Sequence, residues 1–128
     1  MATTARPRIG GLEMKILNVL WHRGPSTVRE VLEDLRVKPT PVYTTVLTIM
    51  RLMHEKGYLE RRENGRAHIY RPLLQEQRVK RGLLREVIDG AFHGSAEALM
   101  VRLLEDEELS SEELQRIKKV ITQKEREG

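Results

Sequence analysis

The chain has no cysteine among its 128 residues, and it holds only one tryptophan, one phenylalanine and three tyrosines. The absence of cysteine excludes a disulfide framework, thiolate metal sites and cysteine catalysis. Because aromatic residues make up only 4% of the chain, its core has to be mainly aliphatic. The length fits one compact domain or two small ones, and not a large multidomain enzyme.

The sequence also has no apolar run near the roughly 20 residues that span a bilayer. Residues 1–8 have no periodicity, which predicts a disordered tail, and they lack the apolar centre of a signal peptide. Together with the absence of cysteine, these features predict a cytoplasmic protein.

Basic charge is concentrated in the first half of the chain. Residues 1–72 contain 13 Lys and Arg against 7 Asp and Glu, whereas residues 73–128 contain 10 against 12. Clustered basic charge is typical of a nucleic-acid-binding module, and it is equally typical of an ordinary solvated surface. Charge alone therefore leaves both interpretations open.

Two helices are predicted in the first third of the chain. Apolar residues recur at helical spacing from Leu12 onwards, with Trp21 beside them as a core anchor, and Gly24-Pro25 ends the run. Thr27 and Glu30 have the spacing of a capping box, which predicts a second helix over Val28–Arg36.

A third helix is predicted over Pro41–Lys56, with Thr40 as its N-cap and Gly57 as its left-handed stop. Its apolar positions form one stripe, which we expect to be buried: Val42, Val46, Ile49, Met50 and Met53. The other side is polar and carries three threonines: Thr44, Thr45 and Thr48. Since β-branched threonine is a poor helix former, stability alone does not explain their presence on an exposed face.

The sequence period changes from about 3.6 to about 2 after this helix. Tyr58–Arg62 and Arg66–Tyr70 alternate as strands around Glu63-Asn64-Gly65, and Asn-Gly is a strong hairpin signal. Three helices followed by a basic two-stranded ribbon predict a winged helix-turn-helix over residues 9–72.

The remaining residues, 73–128, are predicted to be helical again, with one helix over Leu73–Asp89 and two more capped by Ser95 and Ser110. Three short amphipathic helices enclose little core by themselves, so they need a partner surface, and the simplest is a second copy of the chain. The predicted fold is therefore mainly α, a winged helix-turn-helix followed by a helical dimerisation region. The apolar residues expected to dimerise are Leu83, Val87, Leu99, Leu103, Leu104, Leu114, Ile117 and Ile121.

Several stretches of the chain occur in the order and spacing of a known family. They are Leu12-Glu13 through Val19-Leu20-Trp21, Gly24-Pro25-Ser26-Thr27-Val28-Arg29-Glu30-Val31, Tyr43-Thr44-Thr45-Val46-Leu47-Thr48, Glu55-Lys56-Gly57-Tyr58-Leu59, and Gly65-Arg66-Ala67 followed by Tyr70 and Pro72. On these residues the chain resembles the penicillinase and methicillin-resistance repressors, the BlaI/MecI family of bacterial transcription regulators. The resemblance implies a homodimeric winged-helix repressor that binds a palindromic operator.

The chain departs from the family pattern at three places. The family usually has Arg then Leu where this chain has Leu52 and Met53. In staphylococcal members a sensor-linked protease cuts an Asn-Phe pair, and the aligned pair here is Arg102-Leu103. Copper-responsive relatives carry cysteine pairs near the C-terminus, and this chain has none. A membrane sensor metalloprotease is thus a candidate partner by resemblance, whereas copper sensing is not implied.

In a winged helix-turn-helix the third helix reads DNA, and the second helix and the wing contact the DNA backbone. For Tyr43, packing against the second helix and contact with a phosphate are equally good interpretations. Arg61 alternates with Leu59 and is expected to turn partly inward. The residues expected to contact DNA are Arg29, Tyr43, Thr44, Thr45, Thr48, Arg51, Arg62 and Arg66.

Catalytic and metal-binding functions have no support in the sequence. The four histidines fall in different elements without metal-ligand spacing, and no catalytic set of side chains can be assembled, so we expect neither an enzyme nor a cofactor. The alternative to a DNA-binding repressor is a winged helix used for protein interaction, whose basic face docks on an acidic partner. That alternative predicts no salt-dependent duplex binding and a hydrophobic third-helix face.

Overall fold

The computed structural model of the protein describes residues 9–128, so the predicted tail at residues 1–8 lies outside the described part. The elements follow in the order α1 (Gly11–Arg23), α2 (Val28–Asp34), α3 (Tyr43–Glu55), β1 (Leu59–Asn64), β2 (Ala67–Pro72), α4 (Glu76–Ala91), α5 (Ala96–Asp106) and α6 (Ser111–Glu127). This order confirms the mainly α fold with a two-stranded sheet after three helices. The chain divides into two compact units within α4, between Leu83 and Leu84, so the first unit continues beyond Pro72.

The helix caps predicted at Thr27, Ser95 and Ser110 are present. The Thr27 hydroxyl accepts from the Glu30 N–H at 3.2 Å, and the Glu30 carboxylate accepts from the Thr27 N–H at 2.9 Å. Ser110 and Glu113 form the same reciprocal pair at α6, and the Ser95 side chain caps α5. Each cap satisfies backbone donors that a helix start leaves free, which explains why these helices begin where the sequence predicts.

The α2 helix ends earlier than predicted, at Asp34 instead of Arg36. Leu35 leaves the helix with extended backbone, and its side chain turns into the core with 7% exposure. The burial of this leucine outweighs two further helical residues, because an exposed helix end contributes little stability by itself.

The α3 helix begins later than predicted. Val42 holds the N-cap position with extended backbone and no side-chain cap, and the predicted N-cap at Thr40 is wrong. The Thr40 hydroxyl instead donates to the Val37 carbonyl oxygen at 3.4 Å. Because Val42 lies outside the helix, its side chain is 64% exposed and does not join the buried stripe.

The core of the first unit is mainly aliphatic, as the composition predicts, with Tyr70 as its one buried aromatic residue among residues 9–128. It combines buried side chains from three helices and both strands with Leu35, and Trp21 packs at its edge. The buried residues are Ile16, Leu17, Leu20, Val28, Val31, Leu35, Val46, Met50, Met53, Leu59 and Tyr70.

The chain passes from α3 into the wing through a glycine turn. Gly57 has a φ of 83°, as predicted for a left-handed stop. The Tyr58 N–H donates to the Met53 carbonyl at 2.9 Å, and the Gly57 N–H donates to the His54 carbonyl at 3.0 Å. These two bonds form a Schellman motif, which satisfies the last carbonyls of the helix.

The hairpin turn is tighter than predicted. Asn64 pairs with Ala67, so the turn is Gly65-Arg66 instead of Glu63-Asn64-Gly65. Gly65 has a φ of 66°, whereas Arg66 is not in the positive region, which is the pattern of a type II′ turn. Arg66 therefore lies at the tip of the wing and not within a strand.

Two long-range contacts tie the wing and the start of α4 to α1. Buried Ser26, in the loop after α1, forms an antiparallel bridge with Tyr70. The Trp21 indole N–H donates to the Leu74 carbonyl at 3.0 Å. Leu73, predicted to be helical, extends the hairpin instead, since its N–H donates to the Tyr58 carbonyl at 2.8 Å. For this reason α4 begins only at Glu76.

The second unit has almost no core of its own. In residues 84–128 only Ile88 is buried, and neither α5 nor α6 contains a buried residue. Several large apolar side chains are exposed instead, among them Met100 at 61% and Val120 at 68%. Within residues 9–128, no helix combines the length and apolar character needed to cross a membrane.

The capping boxes of α2 and α6 predict a loss of stability in acid. Hydrogen bonds from Thr27, together with the Arg23 guanidinium, lower the pKa of Glu30, and hydrogen bonds from Ser110 lower the pKa of Glu113. A carboxylate with a lowered folded pKa stabilises the fold above its unfolded pKa, and this contribution disappears as the pH falls through the folded value. We therefore expect the free energy of unfolding to decrease as the pH falls below 4.5, the ordinary pKa of glutamate.

Urea unfolding followed by circular dichroism at about pH 7 and about pH 3.5 measures this loss. The matched variant carries Glu30→Gln and Glu113→Gln, because glutamine keeps a capping oxygen but does not titrate in this range. We expect the variant to lose less stability between the two pH values than the wild type. Equal losses in the two proteins would show that the caps do not cause the acid sensitivity.

Candidate nucleic-acid interface

The burial of one side of α3 determines which side chains the other side exposes to solvent. Val46, Met50 and Met53 are fully buried, so at 3.6 residues per turn the opposite side of the helix faces solvent. Four of the predicted DNA-contacting residues lie on this outer side and are exposed: Thr44, Thr45, Thr48 and Arg51. The structure thus brings short hydroxyl side chains and one guanidinium together on an accessible helix surface.

Sequence reasoning missed one residue on this outer side. Leu52 follows Thr48 by four positions and Thr45 by seven, so it shares their side of the helix, and it is 47% exposed. The spacing of Leu52 from Thr45 and Thr48 in the sequence was sufficient to predict that it lies on this side of the helix. Its apolar side chain is suited to contact a thymine methyl group, as is the methyl group of threonine.

Arg29 and Tyr43 meet across the connection between α2 and α3. Arg29 is the second residue of α2, and Tyr43 is the first residue of α3. The Arg29 Cζ lies 5.2 Å from the centroid of the Tyr43 ring, a cation–π distance. Both side chains remain exposed. Tyr43 therefore contacts a side chain of the second helix while it stays at the solvent-facing end of α3.

The two faces of the wing have different environments. Leu59 and Tyr70 are buried on the inner face, and Arg61, which pairs with Tyr70, is half-buried on that face as predicted. Arg62 lies on the outer face because successive side chains of a strand alternate, and it is exposed. Arg66 is exposed in the turn. Two of the three wing arginines named from the sequence are thus accessible to a ligand.

Arg71, another arginine on the outer face of the wing, already has an ion-pair partner. The register sets Arg71 opposite Glu60, and the Arg71 Nε and Nη2 donate to Glu60 Oε1 at 3.1 and 2.6 Å. Sequence reasoning did not identify this pair, because it depends on the register of the hairpin. On the outer face of the wing, Arg62 is therefore the strand arginine that has no carboxylate partner in the described part of the chain.

Ion pairing divides the basic side chains of the first unit into two groups. Arg23 pairs with Glu30 and Asp34, and Lys56 pairs with Glu13. Arg71 and Lys80 are likewise paired, with Glu60 and Glu76. Within residues 9–128, no carboxylate pairs with the four arginines predicted to contact DNA, which are Arg29, Arg51, Arg62 and Arg66. Their charges are therefore available to an anionic ligand.

The predicted dimerisation residues keep apolar surface. Leu83, Leu99 and Ile117 are half-buried. The other five are between 39% and 50% exposed: Val87, Leu103, Leu104, Leu114 and Ile121. Leu83 belongs to the first unit, and the remaining residues belong to the second. In the described range of the chain, no group of three His, Asp or Glu side chains is placed to hold a metal.

Three helices, a polar outer side on the third and a basic wing define a winged helix-turn-helix of the DNA-binding class. A sequence model of the family described as "Penicillinase repressor" matches residues 9–123 of the chain. This chain belongs to the penicillinase repressor family, as the resemblance in its sequence implies.

Three relatives show the range of similarity. The methicillin resistance regulatory protein MecI of Staphylococcus aureus strain N315 is 20% identical over 116 residues, covering 91% of this chain and 94% of that protein. The penicillinase repressor of Bacillus licheniformis is 23% identical over 115 residues, covering 90% of each. The transcriptional regulator BlaI of Mycobacterium tuberculosis strain H37Rv is 33% identical over 100 residues, covering 77% of this chain and 72% of that protein.

A solved structure agrees with the fold. The solution structure of the DNA-binding domain of the repressor BlaI is 26% identical in sequence and superimposes with a TM-score of 0.50, covering 58% of this chain and 90% of that domain. The relatives are transcriptional repressors and not enzymes. The predicted winged-helix fold and the predicted family are thus confirmed, and the family identifies the chain as a transcriptional repressor.

Proposed function

We propose that this chain is a sequence-specific DNA-binding repressor that acts in the cytoplasm as a homodimer on a palindromic operator. The observation that carries the proposal is the outer side of α3, where three exposed threonines accompany an arginine that has no carboxylate partner in residues 9–128. Threonine hydroxyls can bond base edges, and threonine methyl groups can pack on thymine. This surface is therefore the proposed reader of the operator sequence.

Affinity and sequence choice have different sources in this proposal. Arg29, Arg62 and Arg66 bind backbone phosphates, which supplies affinity for any duplex and makes it depend on salt. Thr44, Thr45 and Thr48 contact base edges, which supplies the preference for one sequence. Arg29, Arg62 and Arg66 have no carboxylate partner within residues 9–128, so their charges remain available to phosphates.

The second unit supports a homodimer. Its helices leave large apolar side chains exposed and bury only Ile88, so a single chain does not complete a core there. Most soluble oligomers are symmetric assemblies of identical chains, and a two-fold dimer places the same apolar patch on both sides of the interface. Two copies of α3 then enter successive major grooves about 34–36 Å apart, which requires a nearly palindromic operator.

Release from the operator is proposed to involve a membrane sensor metalloprotease. The pair that aligns with the cleavage site of staphylococcal relatives is Arg102-Leu103, and it lies within α5. Both residues are exposed, and Arg102 pairs with Asp106 one turn further along the helix. Cleavage between them therefore requires local unwinding of α5 and, in the proposed dimer, release of Leu103 from the interface.

The experiment that tests the proposal is a titration of the purified protein against its own upstream promoter duplex and a scrambled duplex. We expect two protomers to bind the promoter, with a preference of about 10³-fold or more and a steep loss of affinity with salt. Equal affinity for the two duplexes would refute specific DNA binding. No salt-dependent binding to either duplex would favour the alternative, a winged helix used for protein interaction.

Thr45→Ala tests base reading within the same titration. Removing the hydroxyl and methyl groups should reduce the preference for the promoter over variants changed at the contacted base pair. The expected reduction in the difference of binding free energies is about 1–3 kcal/mol. Binding to the scrambled duplex should stay unchanged, since Thr45 carries no charge. A uniform loss of affinity for all duplexes would instead indicate that Thr45 contacts the DNA backbone.

Arg62→Ala and Arg66→Ala test phosphate contact, with Arg71→Ala as the matched control on the same wing. Each of the first two variants should weaken binding to every duplex and reduce the salt slope by about 0.9 per lost contact. Arg71→Ala should have a smaller effect, because Glu60 already pairs with this arginine. Equal effects of Arg62→Ala and Arg71→Ala would contradict a role for ion pairing in selecting the contacts.

Leu104→Glu tests the dimer. Placing a charge in a buried apolar interface should weaken self-association at least about tenfold, as judged by sedimentation at several protein concentrations. Operator affinity should fall with it, since one protomer engages only one half-site. The control is Glu97→Gln, another exposed position of α5. A dimer that persists in Leu104→Glu would place the interface elsewhere.

A further inference from the structure

We infer that Tyr43 is a positioning residue: the face of its ring holds the Arg29 guanidinium where that group engages a phosphate, while the Tyr43 hydroxyl is not itself the DNA contact. This inference rests on the proposed function. It starts from the 5.2 Å distance between the Arg29 Cζ and the centroid of the Tyr43 ring. It assigns a role to the one predicted contact residue for which the sequence left two interpretations open.

Arg29 stacks on the ring although carboxylates are near it in sequence. Glu33 lies four positions further along α2, the spacing at which helical ion pairs form, yet no ion pair joins it to Arg29. Glu30 and Asp34 are both engaged by Arg23, at 3.2 and 3.0 Å. The acidic groups of α2 therefore do not draw Arg29 away from Tyr43.

The cap and the buried side chains of α2 hold the backbone that carries Arg29. Thr27 caps α2, and Val28 and Val31 are buried, so the helix cannot rotate and Arg29 points outward. Tyr43 opens α3 directly before Thr44, on the helix whose outer side carries the proposed base contacts. The stack thus brings Arg29, a residue of the second helix, to the beginning of the reading helix.

A stacked guanidinium keeps its hydrogen-bond donors free. Arg29 Cζ lies over the ring, and no N–H donor of this guanidinium is engaged by another group within residues 9–128, so the donors remain available to a phosphate. Holding a long side chain in one place before binding also reduces the rotamer entropy that is lost when the phosphate is bound. The ring therefore strengthens the phosphate contact without touching DNA.

A double-mutant cycle on operator binding tests the inference, with the variants Tyr43→Phe, Tyr43→Leu, Arg29→Ala and Tyr43→Leu/Arg29→Ala. Phenylalanine keeps the ring face, so Tyr43→Phe should bind like the wild type. Tyr43→Leu should bind about two- to tenfold more weakly per protomer, the range expected when one long side chain has to be ordered on binding. In the Arg29→Ala background, Tyr43→Leu should have almost no further effect, since the residue it positions is absent.

Two additional readouts separate positioning from a structural role. Proton NMR of the free protein should show the Arg29 side-chain methylenes shifted by the ring in wild type and Tyr43→Phe, and unshifted in Tyr43→Leu. Arg29→Ala should reduce the salt slope of binding by about 0.9 per protomer, whereas Tyr43→Leu keeps the charge and most of the slope. Fluorescence of Trp21, the single tryptophan, checks that each variant is folded.

Distinct results would overturn the inference. If Tyr43→Phe binds as weakly as Tyr43→Leu, the hydroxyl is the contact; if the effects of Tyr43→Leu and Arg29→Ala multiply, the two residues act independently. Either result, obtained with a wild type that prefers its operator, rejects the positioning role and leaves the repressor in place. A wild type without operator preference rejects the proposed function, and with it this role for Tyr43.

Discussion

The wing depends on a pair of backbone hydrogen bonds between residues that are distant in the chain. The Tyr70 N–H donates to the Ser26 carbonyl at 2.8 Å, and the Ser26 N–H donates to the Tyr70 carbonyl at 3.0 Å. An isolated two-stranded hairpin is marginally stable in water, so this bridge and the burial of Leu59 and Tyr70 hold the wing against the helices. The accessible arginines, Arg62 and Arg66, take their positions relative to α3 from this attachment.

Core packing and ion pairing together produce the exposed basic and hydroxyl-rich surface of the first unit. Buried Val46, Met50 and Met53 set the rotation of α3, and so decide which of its residues face solvent. Five carboxylates of the unit pair with other cations, such as Arg23 and Arg71, and within residues 9–128 none pairs with the arginines of the proposed interface. Because an internal ion pair neutralises charge that a phosphate would otherwise meet, this pairing pattern is as important as the number of basic residues.

The second unit is folded locally but incomplete as a single chain. Ser95 and Ser110 cap its last two helices, which explains their well-defined starts. Neither helix buries a residue, and isolated helices of this length are marginal without packing partners. A surface that packs on the exposed apolar side chains of these helices would stabilise the unit, which is the physical basis for proposing a symmetric dimer.

Local signals in the sequence were enough to predict the element order, the caps at Thr27 and Ser110, and the stop at Gly57, because these features arise between residues a few positions apart. They also placed the three threonines and Arg51 on the outer side of α3, since helical spacing is local. The late start of α3 at Tyr43, the bridge at Ser26, the pairing of Glu60 with Arg71 and the stack of Arg29 on Tyr43 could not be predicted in this way. The late start of α3 has no side-chain cap to mark it in the sequence. The bridge, the ion pair and the stack each join residues from different elements, so they are defined only once the chain has folded and the register and packing are set.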